Sequence, residues 1–153
     1  MSFSIDLEIA DPRWRKARGL AARLKAAAEL ALKRGGAPRT ASLTILLTSD
    51  AKLRSLNNDF RGRNKATNVL SFPAPRNAAG YLGDVALAYG VTEKEAQAAG
   101  KRFADRASHL VVHGVLHLLG FDHVTPRKAR AMEPLETRIL ARLGIADPYE
   151  EAA

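Results

Sequence analysis

Phe3, Ile5, Leu7 and Ile9 alternate with polar residues, the period-two signature of a strand with one buried face. Asp11 and Pro12 then supply a cap and a first-turn proline, and the Ala-, Leu-, Lys- and Arg-rich run 13–34 predicts one helix stopped by Gly35-Gly36. Residues 42–48 predict a second strand, and Ser49-Asp50 caps a short helix through Leu56. The segment 57–66 is polar, basic and glycine-containing, and reads as a loop. A third strand at 69–72 ends at Pro73, a loop covers 74–80, and a fourth strand at 85–88 follows Gly83-Asp84. A short helix from Thr92, a break near Gly100, and a longer helix to Leu119 come next; Thr125-Pro126 opens a last helix to about Leu143. The pattern predicts an α+β fold: a small mixed four-stranded sheet with about five helices in one domain over 1–146. The acidic, small-residue tail 147–153 is expected to be disordered.

The chemistry concentrates in the fourth of these helices. His113-Gly114-Val115-Leu116-His117-Leu118-Leu119-Gly120-Phe121-Asp122-His123 places three of the chain's 4 histidines at H-x3-H-x5-H in an apolar run. On a helix, positions i and i+4 share a face roughly 6 Å apart, so His113 and His117 can grip one ion. Gly120 lets the chain leave the helix through a left-handed residue and swing His123 back as a third ligand. Three imidazoles with one open position make a catalytic metal site rather than a structural one. Zinc is the default occupant, one ion, although other first-row divalent metals also suit imidazole. Packing alone does not account for the three, because buried imidazoles need partners. His109 lies one turn before His113 but about 12 Å along the axis from His117. It is therefore expected to pack, or to hydrogen-bond a ligand, rather than to bind metal. Asp84 and Asp122 have two readings each, as a carboxylate that orients a ligand histidine or as a turn cap.

Zinc proteases with a similar spacing read H-E-x-x-H, the Glu acting as base. Here that position is Gly114, which cannot accept a proton. Either the base comes from elsewhere, or a metal-bound hydroxide suffices, or the substrate is not a peptide. A metal-dependent enzyme is the reading that follows, with two rivals for its role: a metal-dependent hydrolase of another kind of substrate, for instance a small peptidase, and a non-catalytic assembly factor whose metal holds its fold.

Charge narrows the substrate. The chain carries a net +8, and residues 1–76 hold 15 Lys and Arg against 6 Asp and Glu, so the whole excess lies in the first half. A polyanion such as RNA is the matching partner, although surface cations often only face water. Cysteine is absent, which excludes disulfides and thiolate ligands and agrees with a reducing compartment. No secretory signal is legible at the N-terminus, and the longest apolar stretch, 110–121, is too short to span a bilayer. A cytoplasmic protein without membrane contact is expected.

Asn57-Asn58-Asp59-Phe60-Arg61, Lys65-Ala66-Thr67-Asn68-Val69-Leu70-Ser71-Phe72-Pro73 and Leu82-Gly83-Asp84-Val85, followed by the histidine motif, span residues 57–123. In this order and spacing the chain resembles the YbeY family of bacterial rRNA maturation factors, described as single-strand-specific endoribonucleases. The resemblance implies zinc at His113, His117 and His123 and a catalytic role for Arg61. It also implies maturation of the 16S rRNA 3′ end, ribosome quality control, and association with the small ribosomal subunit and a ribosome-associated GTPase. A guanidinium beside a metal can grip a phosphodiester bidentately and stabilise its developing charge. Two departures stand out: Asn68 where the family usually has Asp, and Phe121 where Tyr is common. Asn68 keeps the size and hydrogen-bonding capacity but cannot transfer a proton as a carboxylate would.

Overall fold

A computed structural model of the chain describes residues 3–63, 67–122 and 125–149. Its element order is β1 (Ser4–Ile9), a short 3-10 helix (Pro12–Lys16), α1 (Leu20–Arg34), β2 (Ser42–Thr48), α2 (Asp50–Arg61), β3 (Val69–Pro73), β4 (Tyr81–Ala88), α3 (Tyr89–Ala98), α4 (Phe103–Leu118) and α5 (Pro126–Arg142). The four strands form one mixed sheet in the order β1-β2-β4-β3. β1 and β4 run parallel to β2, and β3 pairs antiparallel with β4. The expected α+β architecture, with five α-helices on a small mixed sheet, is what the chain forms.

Strand alternation sends each apolar set to its own face. Leu43, Ile45, Leu47, Val85 and Leu87 join the main core with Leu24, Ala28, Leu32, Val111, Val115 and Leu116 from α1 and α4. Leu70, Ala86 and Ala88 point the other way and pack with Leu53 of α2. α1 and α4 thus cover one face, with α5 packed against both of them, and α2 covers the other, so a residue's parity along its strand decides which functional surface it can reach.

Three expectations are corrected. The run 13–34 is not one helix: a 3-10 turn carries Trp14 into the core, and α1 starts only after Gly19, at φ 74°. Trp14 is drawn inward because its Nε1–H donates to the carbonyl of Thr48 at 2.9 Å and its ring meets Tyr89 and Phe103. A straight helix from Arg13 would not also lay Leu20, Leu24 and Ala28 on the sheet. The loop expected from Asn57 is instead the second half of α2, which runs to Arg61. Ser49 caps it through the Lys52 N–H, Leu53 is buried, and Phe60, 69% exposed, still sets its ring edge-on to Phe72. Gly62, at φ 66°, closes that helix, its N–H bonded to the Asn58 carbonyl. Finally, β4 starts at Tyr81 rather than Val85, since Gly83 at φ 137° keeps pairing across an irregular register.

At the C-terminal end, Asp147 and Tyr149 are held by hydrogen bonds. Asp147 accepts from the Thr137 hydroxyl and the Tyr149 N–H, and the Tyr149 hydroxyl donates into the interior. Residues 150–153 lie outside the described residues. No described helix is long and apolar enough to cross a membrane.

Candidate metal centre

α4 presents its histidines because its apolar face is committed to the core. Leu110, Val111, Val112, Val115 and Leu116 are buried, which turns His109, His113 and His117 along one edge. The helix stops where the sequence says it must. Gly120 sits at φ 97°, its N–H donates to the His117 carbonyl, and the Phe121 N–H reaches the Leu116 carbonyl. That pair of bonds is a Schellman stop, and it turns the chain away one residue-pair after His117.

The Nε2 atoms of His113 and His117 face each other at 3.0 Å. Two imidazoles bound to one tetrahedral zinc would stand about 3.3 Å apart, so this donor pair fits such an ion without rearrangement. Both rings line a cleft of about 330 Å³ whose opposite wall is the run from Thr67 to Ser71. His123, predicted as the third ligand, lies outside the described residues, as do Lys65 and the side chain of Arg61. The backbone of Arg61 is the last turn of α2.

Behind His113 stands Glu136 of α5, which sequence reading passed over. Its carboxylate is fully buried. Oε1 accepts from His113 Nδ1 at 3.1 Å and from the Tyr149 hydroxyl at 2.9 Å, and Oε2 contacts His109 Nε2 at 2.9 Å. Burial by itself would raise the Glu136 pKa; the hydrogen bonds from His109 and His113 and their electrostatic attraction together outweigh it and hold the carboxyl down to about 2. Burial and the adjacent Glu136 charge push the Tyr149 phenol well above its ordinary range, so it stays a donor. His109, His113 and Glu136 also bring ligand atoms within 4.8 Å of one another, a group that could hold a metal ion. A signal for Glu136 does exist in the chain: it shares the stripe of Met132, Ile139 and Leu140, where a carboxylate is out of place.

The network continues outward. Arg106 places Nη1 3.1 Å from His109 Nδ1 and pairs through Nη2 with Glu95 at 2.7 Å. Asn68, on the cleft wall, donates Nδ2–H to both oxygens of Glu95, at 3.0 and 3.3 Å. The amide therefore does what the family's usual Asp could not do beside Glu95. Asn68→Asp would set two carboxylates together and raise the pKa of one of them. Because Glu95 is partly exposed, the loss at neutral pH is expected to be about 1 kcal/mol, lowering Tm by about 2–4 °C. The loss should shrink as the pH falls and the pair takes up a proton. A Tm at pH 7 equal to wild type would refute this account of the substitution.

Gly114 explains the missing protease Glu. A Cβ there would meet Val85 Cγ1 at 2.5 Å and Ser71 Oγ at 3.2 Å, and the Gly114 carbonyl accepts the Ser71 hydroxyl at 2.8 Å. This position is where α4 lies against the sheet, so even a Cβ forces a shift and no base can project from it. Asp84 is on the opposite face, accepting from the Tyr81 hydroxyl, and Asp122 pairs with Lys128 at 3.2 Å.

With this geometry in place, comparison with known proteins decides the lineage. The family model for endoribonuclease YbeY matches residues 8–144. The chain belongs to the YbeY endoribonuclease family. It is 44% identical to the endoribonuclease YbeY of Chelativorans sp. (strain BNC1), over 97% of this chain and 94% of that one. The enzyme of the same name from Rhodopseudomonas palustris (strain BisA53) is 52% identical over 72% of this chain and 69% of its own. A solution structure of TM1509 from Thermotoga maritima superposes with a TM-score of 0.64 at 22% identity, covering 98% of this chain and 100% of that one, and so shares the fold.

Proposed function

We propose that the chain is a single-strand-specific, zinc-dependent endoribonuclease that acts on rRNA, in 16S rRNA 3′-end maturation and ribosome quality control. The observation that carries the reading is the pair of His113 and His117 Nε2 atoms, 3.0 Å apart in an open cleft, in a chain of this family. His113, His117 and His123 hold the metal. When bound, the ion supplies Lewis-acid polarisation of a phosphoryl oxygen or activation of water at neutral pH. Arg61 binds the scissile phosphate and stabilises the charge that develops on it. The cleft wall from Thr67 to Ser71 flanks the strand, and Asn68, being engaged with Glu95, takes no proton. By the same reading the protein works in the cytoplasm on the small ribosomal subunit, alongside a ribosome-associated GTPase. A peptidase is disfavoured because Gly114 leaves no room for the base such an enzyme needs.

The test is cleavage of a single-stranded RNA by purified, metal-loaded protein, run beside a chelator-treated sample and folded Arg61→Ala. Chelation is expected to remove cleavage, and Arg61→Ala to lower kcat by about 10²–10³-fold, as for loss of one transition-state donor. Cleavage indifferent to both treatments would overturn the assignment and point to a contaminating nuclease.

A further inference from the structure

The carboxylate of Glu136 invites two assignments: a ligand, grouped with His109 and His113, or a support for a ligand held elsewhere. The proton inventory separates them. Arginine has only N–H donors, so His109 Nδ1, 3.1 Å from Arg106 Nη1, must present its lone pair. His109 then carries a proton on Nε2, which donates to Glu136 Oε2. The ionised carboxylate can only accept, so His113 gives its Nδ1–H to Oε1, where the Tyr149 hydroxyl also arrives. With Nδ1 engaged by the carboxylate, the atom His113 has left to offer a metal is Nε2, the one that faces His117.

We propose that Glu136 is a positioning residue of the metal centre, which fixes the tautomer and ring angle of His113 without touching the ion itself. The inference rests on the reading that His113 and His117 hold a metal, and it deepens that reading. For Glu136 to be a ligand instead, an ion would have to enter a fully buried carboxylate and displace three donors. It would also have to take His113 through Nδ1, leaving a protonated Nε2 against His117. The arrangement present needs none of this. It is the carboxylate–histidine–metal pattern in which an outer acid sets the ligand's orientation and basicity. Arg106 and Tyr149 act one step further out: the first sets the His109 tautomer, and the second ties the C-terminal segment to the same oxygen that holds His113.

Zn²⁺ affinity by chelator competition and the visible ligand-field spectrum of the Co²⁺-loaded protein test this, with circular dichroism to confirm folding. Glu136→Gln is expected to weaken Zn²⁺ binding about 10–100-fold and to alter the Co²⁺ spectrum. His109→Ala should leave the Co²⁺ spectrum close to wild type, whereas His117→Ala should abolish it. Folded Glu136→Gln with wild-type affinity and spectrum would overturn the positioning role alone. Tight binding by His117→Ala, with loss in His109→Ala, would make Glu136 a ligand and overturn the proposal. Wild-type protein that takes up neither ion would sink the metal reading and this inference with it. Should Glu136→Gln fail to fold, long-range ¹⁵N–¹H spectra of wild-type protein decide. His113 protonated on Nδ1 and His109 on Nε2 support the proposal, and the reverse pattern refutes it.

Discussion

Gly114→Glu, which would restore the H-E-x-x-H spelling of zinc proteases, is expected to destroy the fold rather than to create a peptidase. The added Cβ alone would lie 2.5 Å from Val85 Cγ1, and Val85 is a fully buried, β-branched residue in the middle of the sheet with little rotamer freedom. The rest of the Glu side chain would press a carboxylate into a helix–sheet seam with no partner. Overpacking and an unpaired buried charge together are worth about 4–5 kcal/mol or more, comparable to the whole stability of a marginal domain. Gly114→Ala separates the terms: about 1 kcal/mol gained in helix propensity against about 1–3 kcal/mol of overpacking. Thermal unfolding of the two variants is the measurement. The alanine protein should fold with a modestly lower Tm and the glutamate protein should be insoluble or unfolded; a folded Glu variant at wild-type Tm would mean that the seam opens freely.

His117→Ala is expected to act in the opposite way, sparing the fold and removing the chemistry. The residue sits on the last turn of α4, partly exposed, with its Nε2 turned to His113 rather than into the core. Losing one of three ligands should weaken metal binding by about 10²–10⁴-fold, a proportionate share of a zinc site's binding energy, and should bring metal-dependent RNA cleavage to background. The Tm of the metal-free protein should stay within about 1 °C of wild type, as for a surface change. The assembly-factor alternative makes the contrary forecast, with unfolding when the ligand goes and biological activity indifferent to Arg61. Metal content, chelator-treated Tm and cleavage rate measured on one preparation separate the two.

Strands β1 and β2, the caps Ser49 and Thr125, and the glycine stop after His117 are all written in local chemistry: alternation, a side-chain acceptor for N2 or N3 N–H groups, and a residue free to adopt φ 97°. Such features involve residues close in sequence, so a chain read without coordinates shows them. The i, i+4 placement of His113 and His117 belongs with them. Where reading by propensity failed, a distant partner had overruled it. Asn57-Asn58-Asp59 is poor helix sequence, yet α2 continues through it because Leu53 is buried under the sheet and Phe60 reaches Phe72. Residues 13–34 are good helix sequence, yet the chain bends at Gly19 because Trp14 is claimed by the carbonyl of Thr48.

The candidate site divides along the same line. The sequence by itself determined the imidazoles, their shared helical face, the absence of thiolates and the absence of a protease base, since each follows from residue identity and spacing. Only the tertiary structure decided why Gly114 is glycine and what stands behind His113. Val85 and Ser71 approach from strands distant in the chain, and Glu136 comes from 23 residues away, carried by a helix whose apolar stripe gives no hint of its partner. A buried carboxylate acquires its meaning from the donors that surround it, and those donors meet only when the helices pack.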